Sequence, residues 1–151
     1  MKSLALVFSF LLAGLGSGLL AQNPSDGLHF WKVLSKVKYK SKIDIESGTL
    51  IYTPVFNRSI KKLNGKEIIL KGYVIPADLS GGRMTLSAFP YSSCFFCGGA
   101  GPESVIEIDA KTPIIYRIDK PITLKGKLKL NSEDPLRLIY ILKEADYYEG
   151  S

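Results

Sequence analysis

The residue types best suited to chemistry sit within one short stretch. Tyr91–Glu103 (YSSCFFCGGAGPE) carries both cysteines of the 151-residue chain together with three glycines and Pro102. Cys94 and Cys97 stand at the CxxC spacing, and a glycine after such a pair lets the chain turn so that two thiolates face one ion. Two sulfurs supply half of a tetrahedral site. The remaining donors for a thiophilic metal, Zn²⁺ first, would come from Glu103, His29, Asp78 or Asp109, or from a second CxxC across a homodimer. The same spacing also closes a disulfide, which an oxidising compartment favours.

A third use of the pair is thiol–disulfide exchange. Enzymes of that kind place the first cysteine at the start of a helix whose dipole lowers the thiol pKa, inside an alternating α/β fold. Gly98-Gly99 directly after Cys97, with strand-like runs on both sides, does not suit such a helix. The chain is therefore expected to be a binding module rather than an enzyme. Glu103 without a partner histidine is weak as a general base. His29, the only histidine, lies beside Trp31 and suits packing or surface as well as ligation. Phe95 and Phe96 are expected to tuck under the loop, the usual fate of aromatic rings. No phosphate loop and no pair of catalytic carboxylates is visible.

Positioning such a loop requires a scaffold, and the rest of the chain supplies alternating strands. Composition is that of one globular domain, 46% hydrophobic and 23% charged, with a net charge of +6. That charge suits anionic surfaces, but the lysines are spread along alternating strands, so nucleic acid is not expected as a partner. Lys2 followed by an apolar run from Leu4 to Leu20 and a small residue at Ala21 predicts a signal peptide over 1–21 and hence an exported, periplasmic or secreted protein. No stable membrane insertion is expected after cleavage. Residues 22–27 then form a flexible segment, 28–146 the folded domain and 147–151 a frayed tail.

Within the domain, Leu28–Leu34 predicts a short helix capped by Asp26, and Phe56–Leu63 predicts another. Val37, Tyr39, Ile43 and Ile45 alternate with lysines, predicting a strand with one buried face. Further strands are predicted over 50–54, 66–75 ending at Pro76, 84–89, 104–109, 114–118, 122–130 and 136–142, with a hairpin turn at Ser80–Arg83. Gly72 and Gly126, each in mid-strand, suit the bends by which a small sheet closes on itself. The expected fold is all-β with two short helices, a small OB-like barrel in a single domain; a small β-sandwich is the alternative.

The blocks Trp31-x-x-Leu34, Tyr52-x-Pro54-x-Phe56, Gly65–Pro76 (GKEIILKGYVIP) and Cys94-Phe95-Phe96-Cys97-Gly98 with Gly101-Pro102-Glu103 together resemble an exported bacterial family of domains of unknown function, best represented in Bacteroidetes-type bacteria. The resemblance spans roughly Trp31 to Leu142. It implies an OB-like barrel outside the cytoplasm and, through relatives with other Cys/His arrangements at this loop, a link to zinc handling that falls on Cys94 and Cys97, with Glu103 a weaker candidate. An accessory role in envelope metal homeostasis, with a metal ion or an envelope protein as partner, is the functional expectation.

Overall fold

The computed structural model describes residues 27–79 and 83–149. The expected signal peptide, most of the flexible segment with Asp26, and Ser80–Gly82 of the expected hairpin lie outside them. Helix α1 (His29–Leu34) forms where Trp31 and Leu34 can bury together, and it begins at Leu28 without a side-chain cap. Helix α2 (Arg58–Lys61) is shorter than the predicted one because Asn57 caps it, its side chain accepting from the Ile60 amide at 3.0 Å. Among the described residues no helix is long and apolar enough to cross a membrane.

Seven strands follow two separate patterns. β1 (Lys38–Ile43) and β2 (Leu50–Val55) pair only with each other, as an antiparallel hairpin. The other five, β3 (Glu67–Leu79), β4 (Arg83–Ser87), β5 (Val105–Ala110), β6 (Pro121–Leu130) and β7 (Tyr140–Tyr147), close into a barrel in the order β3-β4-β5-β7-β6. All neighbours are antiparallel except β5 and β7, which are parallel. The barrel is thus the expected small all-β, OB-like one.

Register explains the inside and the outside. Val74, Leu86 and Ile106 stand opposite one another across β3, β4 and β5, and Met84, Ile108, Leu142 and Leu128 form the next inward row. Leu34 and Trp31 of α1 and Ile60 of α2 belong to the same core cluster, so the helices close the barrel's interior. Gly126 marks a tight approach: a Cβ there would come within 2.7 Å of the Lys143 carbonyl. The β6–β7 register shifts between Lys125 and Lys127, and Glu144 opposite has φ 53°, so a bulge bends the sheet at the glycine as anticipated.

Four local expectations need correction. Ile43 and Ile45 are exposed, because the β1–β2 hairpin pairs with no barrel strand and packs on the core near Tyr39 rather than at its far end. β3 runs through Pro76 to Leu79; it pairs with β6 only as far as Tyr73, and its register with β4 shifts beyond Ile75, an irregular stretch that accommodates a proline. Residues 114–118 form no strand, although Ile114 and Tyr116 turn to the core, because no neighbouring strand pairs with them. The last strand begins at Tyr140 rather than Leu136 and continues to Tyr147.

Candidate functional site

The chain between β4 and β5 is a closed loop. Its base is tied by the Ala88 amide donating to the Ser104 carbonyl at 2.9 Å, and the Phe89 amide donates to Ser87 Oγ at 3.1 Å. Three single turns of 3-10 helix follow in sequence, Tyr91–Ser93, Phe95–Cys97 and Pro102–Ser104. Glycine and proline punctuation sets these breaks. Gly98 takes φ 75°, a left-handed conformation that side chains with a Cβ resist, and its amide donates back to Phe95 at 3.0 Å. The Gly99 amide donates to the Cys94 carbonyl at 3.1 Å, so the CxxCG backbone folds as a compact reverse turn.

Cys94 is fully buried, yet it stands apart from the cluster that fills the barrel. The Cys97 side chain lies outside the described residues, as does that of Asp78. Phe95 is half-buried and Phe96 exposed, their rings edge to face at 5.3 Å. Only Phe95 thus tucks in to the extent expected. His29 is exposed at the start of α1 with its ring edge against Phe30. Asp109 is half-buried on β5 and pairs with Lys143. Among the described residues no three His, Cys, Asp or Glu side chains gather as a metal site.

Glu103 lies at the other end of the loop, in the Pro102–Ser104 turn. Its carboxylate folds back over the Cα of Gly101, where a Cβ would overlap it. There it lines a cleft of about 280 Å³ between α1 and the loop, together with Trp31, Lys32, Ala88, Phe89 and Ala100. Trp31 is held in place by its indole N–H, which donates to the Lys71 carbonyl at 2.8 Å. The Pro102–Ser104 turn is fastened by Ser104 Oγ donating to the Gly101 carbonyl at 2.6 Å.

Two tyrosines sense the Glu103 charge. Burial, reinforced by this carboxylate, pushes the Tyr39 phenol well above its ordinary range. Burial also raises Tyr140, with Tyr39 and Glu103 adding to the effect. The Tyr140 hydroxyl donates to the Leu34 carbonyl at 2.8 Å. The buried Tyr39 hydroxyl faces Glu103 closely enough for the carboxylate to act on it, and no other group satisfies it among the described residues.

Sequence reasoning singled out Cys94, Cys97 and Glu103 as candidates but did not anticipate this grouping of Glu103 with Tyr39, Tyr140 and Trp31. Each tyrosine reads as an ordinary strand residue, and nothing in their spacing signals that β1 and β7 bring them to one carboxylate. Comparison with protein-family models, with curated proteins and with solved structures returns no match to this chain.

Proposed function

We propose that the chain is an exported, non-enzymatic binding module that holds a thiophilic ion, Zn²⁺ first, through Cys94 and Cys97, as an accessory to metal handling in the cell envelope. The observation that carries the reading is the loop backbone: Cys94 in an extended conformation, one 3-10 turn ending at Cys97, and Gly98 left-handed. A turn of this kind brings positions three apart onto one side, as two thiolates sharing an ion require. Its three residues are too short to supply the helix dipole on which a thiol–disulfide enzyme depends, which favours binding over redox turnover.

The two further donors of a tetrahedral site are assigned in this reading to the same pair in a second copy of the chain. Titration of the reduced protein with Zn²⁺, followed by native mass spectrometry, tests this. The expected result is submicromolar binding of one ion per two chains, abolished in the Cys94→Ser/Cys97→Ser variant. Binding that survives the double substitution would sink the reading. So would protein isolated from the envelope with the two sulfurs bonded to each other, which favours the second reading of the same turn, a structural disulfide.

A further inference from the structure

We propose that the cleft between α1 and the β4–β5 loop is a receptor for a primary ammonium group carried on a compact apolar body, a site separate from the cysteine pair. Three observations lead there. The walls are apolar and aromatic: Ala88 and Ala100 flank Trp31 and Phe89, and Phe89 is 46% exposed, so its ring is open to a ligand. Trp31 is fixed by its bond to the Lys71 carbonyl, so one wall is preorganised and loses no freedom on binding.

Second, Glu103 is the only acidic group lining the cleft, and among the described residues no cation pairs with it. A half-buried carboxylate beside apolar walls has lost part of its hydration, and its neighbour Tyr39 is a neutral hydroxyl, so an ammonium group would supply the counter-charge it lacks. The aromatic rings that line the same cleft, Trp31 and Phe89, add to the attraction for a cation. Third, the buried Tyr39 hydroxyl faces the same carboxylate as a neutral donor, which leaves the negative charge itself without a counter-ion among the described residues.

The volume, about 280 Å³, lies at the small end of ligand pockets, roughly 300–1,000 Å³. It suits a single small amine rather than a polymer. Lys32 also lines the cleft, exposed on the helix; its charge disfavours a second cation and gives a handle on zwitterionic ligands.

Trp31 is the only tryptophan, so its fluorescence reports on the cleft directly. The full-length protein, reduced and chelator-treated so that no bound ion contributes, is titrated with phenethylamine and with 2-phenylethanol, a neutral molecule of nearly the same shape. Saturable binding of the amine, at least tenfold tighter than the alcohol, is expected. Glu103→Gln should remove that tenfold preference, Phe89→Ala should weaken the amine severalfold, and Lys32→Gln should leave it unchanged or tighter. Equal affinity for the two probes in the unaltered protein, or no saturation by the amine, overturns the proposal, and neither outcome depends on a variant folding. Weaker amine binding in Lys32→Gln also overturns it, because the ligand would then be held by its contact with the lysine side.

Discussion

Thr85 shows how a fold can carry a single unfavourable polar atom. It lies in the row Ile75, Thr85, Glu107, Ile141, which register puts on the outer face of the barrel, and all four residues are nonetheless buried. Glu107 is satisfied there by Arg137, whose Nε donates to it at 3.0 Å, with Arg83 at 3.7 Å. Among the described residues the Thr85 hydroxyl beside it has no hydrogen-bond partner. An unpaired buried hydroxyl opposes folding, so Thr85→Val should raise stability by about 1 kcal/mol, seen as a higher urea midpoint with an unchanged slope. A lower midpoint would mean that the hydroxyl is bonded through a water. At this scale the cysteine loop was legible, because glycine and proline mark a break that propensity alone reveals. The Tyr39–Glu103 approach was not, since it depends on where separate elements dock and no local signal encodes that distance.

The elements themselves were legible where hydrophobic alternation meets a partner strand, as in β4, β5 and β6, and misread where it does not. The run Leu136–Leu142 has the composition of a strand, but its first half is captured by Asn131. That side chain donates to the carbonyls of Asp134 at 2.8 Å, Leu138 at 3.2 Å and Arg137 at 3.3 Å, and accepts from the Asp134 amide at 3.0 Å. Backbone groups used this way cannot join a ladder, so β7 starts only at Tyr140. The loop in turn carries Arg137 to Glu107. Asn131→Ala should therefore lower stability by about 2 kcal/mol, the order of several lost hydrogen bonds around a buried side chain. It should also speed amide exchange across 132–139 before the barrel strands respond. Uniform loosening of all five barrel strands would instead assign Asn131 to the core rather than to the loop.

At the scale of the whole molecule, barrel, helices and hairpin meet at two tyrosines, Tyr140 fully buried and Tyr39 half-buried with its hydroxyl inside. Tyr39 comes from the outlying hairpin, Tyr140 from the barrel, and Tyr140 reaches Leu34 at the end of α1. Their environment makes the assembly sensitive to alkali. In the unfolded chain each phenol ionises around its ordinary value of 10.0, whereas burial and the nearby Glu103 charge hold the folded ones protonated well above it. Above pH 10 the folded state therefore binds more protons than the unfolded state, and stability falls as pH rises. Below pH 10 both states keep these protons, and the two phenols add no pH dependence. Tyr39→Phe removes one of the two and with it a buried hydroxyl that meets only the Glu103 carboxylate among the described residues. Its unfolding free energy in urea at pH 8 should equal or exceed that of the unaltered protein, and its decline between pH 10 and 11 should be shallower. Parallel declines in the two proteins would show that Tyr39 ionises freely, and the hairpin would then have to be seated on the barrel more loosely than its buried hydroxyl implies.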